Sequence, residues 1–125
     1  MTSRPPSGPT GVDAILLIDL IKGAGPAWPR IEDDNFYMTV GSSRPMEDSW
    51  RIGQLELIRW FQELYGLHQL DAYQLLSQIT KAPIANVVDS NYSVVIKAGK
   101  ELVPHVSAFK GMHESLKERA KGLSL

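Results

Sequence analysis

Three histidines, His68, His105 and His113, are the side chains of this 125-residue protein best suited to hold a metal or move a proton. Their spacing matches no ligand pattern such as H-E-x-x-H. His105 and His113 stand eight apart and share a helix face only loosely. Glu32-Asp33-Asp34 could gather carboxylates around a hard cation, but the calcium-loop pattern is absent and a solvated acidic turn is the simpler reading. Asp19 interrupts an apolar run, where a carboxylate is costly unless paired or functional. An ion pair, a place at a strand rim and a catalytic role all fit it. Gly41-Ser42-Ser43 follows a strand-like segment, where a nucleophilic serine can sit. It is not G-x-S-x-G and no triad spacing accompanies it, so a strand-to-helix turn with a capping serine is the simpler reading. Trp50, Trp60, Phe61 and Tyr65 recur at helical spacing and read as core rather than as a base-stacking platform.

The composition narrows the choices. A chain of this mass has a folded surface of roughly 6,700 Å² against roughly 20,000 Å² unfolded, enough burial for one core. Hydrophobic content is 43% and charged content 22%, near globular averages, which argues against wholesale disorder. With no cysteine, disulfide scaffolds, thiolate zinc sites and cysteine nucleophiles are excluded. A net charge of −1 gives no general attraction to a phosphate backbone, so no nucleic-acid partner is expected. No apolar run approaches the ~18 residues of a membrane span, and Met1-Thr2-Ser3-Arg4 lacks a signal-peptide core, so a cytoplasmic protein without membrane contact is expected. The charge is uneven. Residues 1–96 carry a net of −4 and residues 97–125 a net of +3, which suits an amphipathic, solvated helical tail.

These residues need elements to position them. Residues 1–11 are rich in Pro, Gly and Ser and read as a disordered arm. Val12 to Lys22 is a near-continuous apolar run rich in Ile and Leu, and predicts a strand buried on both faces. Gly23 to Pro29 is a connection. Phe36 to Val40 predicts a second strand, ended by Gly41-Ser42-Ser43. From Pro45 to Tyr65 a helical stripe collects Trp50, Leu57, Ile58, Trp60, Phe61, Leu64 and Tyr65, with Gly53 inside it and Glu56 and Glu63 outside it. Gly66 is placed to end that helix. A second helix is predicted over residues 69–80, although His68 is a poor cap. Two strands, 84–88 and 92–98, flank the hairpin signal Asp89-Ser90-Asn91. A last helix is expected over about residues 106–120. The fold class is α+β, a small mixed or antiparallel sheet with two central helices and a C-terminal helix.

The order of motifs carries the reading further. Leu57-Ile58-Arg59-Trp60-Phe61 is followed by Tyr65-Gly66-Leu67, by Asp71-Ala72-Tyr73-Gln74-Leu75-Leu76-Ser77 and by Ile84-Ala85-Asn86-Val87-Val88-Asp89. Upstream stand Leu20-Ile21-Lys22-Gly23, Trp28-Pro29-Arg30-Ile31 and Tyr37-Met38-Thr39-Val40-Gly41. In this order the chain resembles the C-terminal segment of the acetamidase/formamidase family, over about Val12 to Pro104. His68 stands where the family often has a small hydroxyl cap, and Ser90-Asn91-Tyr92 replaces a Pro-Asn turn.

The resemblance implies hydrolysis of small linear amides to a carboxylate and ammonia, with a divalent metal such as zinc activating water in the complete enzyme. Family enzymes are several hundred residues long, so it further implies that the metal ligands lie outside this chain, which would be inactive alone. Thr39 and Gly41 match a family "T-x-G" turn and, with Asp19, are the candidate site residues. A non-catalytic domain of the same ancestry, working by self-association or partner binding, is the alternative. Either way a homo-oligomer or a larger complementary subunit is expected, with residues 12–22 at or near the interface. Residues 12–104 form the family-like domain and 105–125 a helical tail.

Overall fold

The computed structural model describes residues 11–88 and 90–123. The predicted arm therefore lies, apart from Gly11, outside the described residues, as does Asp89 in the hairpin turn. Five strands and three helices follow in the order β1 (Arg30–Glu32), β2 (Phe36–Ser43), α1 (Met46–Tyr65), α2 (Gln69–Ile79), β3 (Thr80–Lys81), β4 (Ile84–Asn86), β5 (Tyr92–Gly99) and α3 (Met112–Ala120). The fold is α+β. All strand pairs are antiparallel, in the order β1-β2-β5-β3, with β4 also pairing β5.

The β2–β5 ladder is the backbone of the sheet, running from Phe36 opposite Gly99 to Ser43 opposite Tyr92. Period-two alternation sends Tyr37, Thr39 and Gly41 of β2, and Val94, Ile96 and Ala98 of β5, to one buried face. Helix α1 lies on that face with Leu57, Ile58, Trp60 and Phe61, and α2 adds Ala72 and Leu76. The Tyr37 ring meets the edges of Trp60 and Phe61 at 5.4 and 5.8 Å, so strand and helix interlock through aromatic contacts. Gly66 ends α1 at φ 65°, its N–H donating to the Gln62 carbonyl, as its sequence position predicts. His68 does cap α2, since its Nδ1 accepts from the Leu70 N–H at 3.2 Å.

Several expectations fail for identifiable reasons. Residues 12–22 are not a strand and are not buried. They run as irregular chain, with Leu16 83% and Ile18 91% exposed. Their apolar run is strand-competent, but no strand of the sheet pairs with it. The second strand continues past Val40 through Gly41-Ser42-Ser43, because β5 pairs with it along its whole length. That stretch is therefore neither a turn nor a cap, and Pro45 precedes α1 without a side-chain capping bond. The last helix begins at Met112 rather than near residue 106, because Phe109, Lys110 and Gly111 all have positive φ. The strand expected over 84–88 is ordered in the ladder only at Ile84–Asn86. Trp50, placed in the core stripe, is 43% exposed near the start of α1. β1 and β3 are two strands that the alternation pattern is too short to reveal.

Candidate functional site

Thr39 and Gly41 lie side by side on the buried face of β2, under α1. Thr39 is fully buried and its Oγ1 donates to the Gly53 carbonyl at 2.7 Å. A Cβ on Gly41 would run into the Ser49 carbonyl and come within 2.8 Å of the Gly53 nitrogen. Gly53 in turn faces Ile96, whose Cγ1 would lie 2.6 Å from an added Cβ. The two glycines thus let helix and strand touch backbone to backbone. Ser49 Oγ closes the same contact, its single proton shared between the carbonyls of Tyr92 at 2.8 Å and Ser43 at 3.0 Å. The T-x-G motif sits in a strand rather than in a turn, and what the structure shows it doing is joining α1 to β2. Asp19 is in the exposed irregular segment, where its Oδ1 accepts from the Leu20 N–H. The structure does not bring it near Thr39 or Gly41.

Ionic groups collect in two places, under α1 and at the β1–β2 turn. In the first, Arg30 of β1 reaches under α1. Its Nε donates to Glu56 at 2.8 Å, and its two terminal nitrogens clasp Glu63 at 2.7 and 3.1 Å. The Arg30 and Glu56 side chains are 8% and 1% exposed. Burial opposes the Arg30 charge, but the bonds to Glu63 and Glu56 more than offset it and raise its pKa above the ordinary value. The same contact holds the Glu63 carboxyl below its usual range. Sequence reasoning placed Glu56 and Glu63 on the solvent side of the helix. Their seven-residue spacing, two turns on one face, was the available sign that they share a partner.

At the β1–β2 turn, a cavity of about 640 Å³ is bordered by Asp34, Lys100, Glu101, His105, His113, Glu114 and Lys117. Asp34, in the turn between β1 and β2, holds α3 through His113 Nε2 and Lys117 Nζ, both at 2.9 Å. Lys117 and then His113 hold the Asp34 carboxyl below the usual carboxylate range. His105 lies 3.8 Å from Glu114. Lys100, on the rim, is tied to Glu32 at 2.7 Å. The Glu32-Asp33-Asp34 run is thereby divided among three jobs: an ion pair, a turn whose Asn35 and Phe36 N–H groups bond Asp33, and the α3 clasp. A carboxylate-held imidazole beside a polar cavity can pass a proton. Among the described residues no three His, Asp or Glu side chains converge as a metal ion requires. The residues present therefore do not fit the divalent metal that the family resemblance implies.

The clasp has a defined pH response. Because the Asp34 pKa is lowered on folding, its stabilisation is complete above the unfolded value of about 3.9 and is lost as pH falls through the folded value. The protection factors of the 112–120 amides, which divide out the pH dependence of intrinsic exchange, should hold down to about pH 4 and fall below it. Asp34→Asn should remove this acid step and speed exchange at neutral pH. Unchanged exchange in that variant would show that the clasp does not hold α3.

Comparison with known proteins bears on this arrangement. A crystal structure of acetamidase from Yersinia enterocolitica superposes with a TM-score of 0.64 and 42% sequence identity, over 68% of this chain. The chain is acetamidase-like. It spans 26% of the length of that acetamidase, about a quarter. No protein-family model matches the sequence, and no curated protein matches it. The likeness stands on both sequence and backbone geometry. No helix among the described residues is long and apolar enough to cross a membrane.

Proposed function

We propose that this chain is a C-terminal piece or small subunit of an acetamidase/formamidase-like hydrolase, which converts small linear amides to a carboxylate and ammonia. The observation that carries the reading is the 42% identity to an acetamidase at a TM-score of 0.64. In this reading the chain supplies one wall of the fold, and a complementary chain or segment supplies the remainder, including the ligands of any divalent metal. The cavity bordered by His113 and Asp34 is the part of this chain best fitted to face a small polar substrate.

The test is ammonia release from formamide and acetamide, measured with this chain alone and with a complementary acetamidase-like chain, each with and without added Zn²⁺. Activity is expected only in the combined samples. Turnover by the chain alone would contradict the division of the site, and none in any sample would contradict the amidase reading. The second reading is a non-catalytic domain of the same ancestry that works by association. It is favoured by one observation, the six large apolar side chains left exposed between Val12 and Leu20.

A further inference from the structure

We propose that residues 12–22, together with α3, form a self-complementary surface through which two copies of this chain pair. The segment carries Val12, Ile15, Leu16, Leu17, Ile18 and Leu20 with exposures of 79, 58, 83, 50, 91 and 75%. Together they present an apolar area on the order of 800 Å², what each partner contributes to an interface of standard size. Scattered exposed leucines need no explanation, but a contiguous patch of this extent marks an association site.

The same surface offers both projections and a receptacle. Ile15, Leu16 and Leu17 line one wall of a groove of about 630 Å³, and Leu116, Ala120 and Leu123 line the other, with Arg119 beside them. Ile18, the most exposed of the six, stands on the segment next to this groove. A second copy turned about a two-fold axis places its Ile18 and Leu20 in the groove of the first and receives the same side chains in its own. Such an isologous contact closes at two copies, whereas projections and grooves on different faces would build open chains.

Charge supports the same occupant. Asp13 and Asp19 lie on the segment and Arg119 lies on the groove, and none of the three has an ion-pair partner among the described residues. Two-fold pairing sets the acidic segment of each copy against the Arg119 of the other. It also gives the apolar run cover that its own sheet does not provide.

The experiment is light scattering on the purified full chain across a concentration series. The chain should be a dimer at high concentration and dissociate on dilution. Ile18→Lys should weaken pairing roughly a hundredfold or more, since the axis buries the substituted side chain twice. Because Ile18 is exposed within one copy, the circular dichroism and melting of the Ile18→Lys monomer should match those of the parent at a dilution where the parent is also a monomer. Leu17→Lys, half-exposed, should also weaken assembly more than the fold, and Arg119→Glu should weaken it several-fold. A monomer at high concentration would overturn the proposal. So would a dimer indifferent to Ile18→Lys, or aggregates of no fixed size. A monomer that pairs only with a complementary acetamidase-like chain would assign the surface to that partner instead.

Discussion

Replacing Arg30 by Met should cost about 3 kcal/mol of stability, the lower part of the range for breaking a buried ion pair. The penalty arises from what is left behind. Glu56 is 1% exposed, and without Arg30 its nearest cation is Arg59, 3.7 Å away and largely in solvent. That long contact keeps the cost from the top of the range. Loss of packing against the Trp60 ring, over which the guanidinium lies at 5.6 Å, adds to it. Glu63 loses its bidentate partner too, but its exposed carboxylate recovers water and contributes little. The double variant Arg30→Met/Glu56→Met should regain most of the lost stability, because neither charge is then buried alone. Urea titrations of the parent, both single variants and the double variant measure this directly. If Arg30→Met alone left the midpoint unchanged, the pair would not be the buried contact the structure shows.

The second large effect is expected at Gly41. Gly41→Ala should destabilise the protein by about 3 kcal/mol, the upper end for overpacking, because the new methyl meets backbone. The Ser49 carbonyl and the Gly53 nitrogen belong to α1, and neither can yield without moving the helix off the sheet. Gly53→Ala makes the informative contrast. There the obstacle is not backbone but Cγ1 of Ile96, a fully buried β-branched side chain that must move within the packed core. Alanine also gains up to about 1 kcal/mol over glycine inside a helix. Gly53→Ala should therefore cost less than Gly41→Ala, about 1–2 kcal/mol once the helix gain is set against the overpacking. Thermal melts should show a large drop for Gly41→Ala and a smaller one for Gly53→Ala. Equal drops would mean that the helix is free to move, and that Thr39 and its bond to Gly53 do not hold it.

These contacts separate what the residues declare from what the fold decides. The helix at 46–65 was legible because twenty residues give the 3.6-residue period room to repeat, and Gly66 marks its end chemically. The β2 and β5 strands were legible because buried and half-buried residues alternate over eight positions. The order of motifs was enough to point to an acetamidase, and the comparison bears that out. Strands of two or three residues carry no period, so β1 and β3 exist only because β2 and β5 present edges to them. Glu56 reads as an ordinary surface charge, and only the packing of α1 across β1 buries it as a pair with Arg30. Thr39 and Gly41 were found by motif, but their part in helix–strand contact depends on residues 49 and 53, which local pattern does not connect to them. Asp34, His113 and Lys117 are brought together across some eighty residues by the docking of α3. Residues 12–22 show the limit most clearly. Their composition determines that they can form a strand, whereas pairing depends on a free edge and on cover for both faces. Sequence sets what a segment is able to do. Tertiary structure decides whether a partner stands close enough for it to be done.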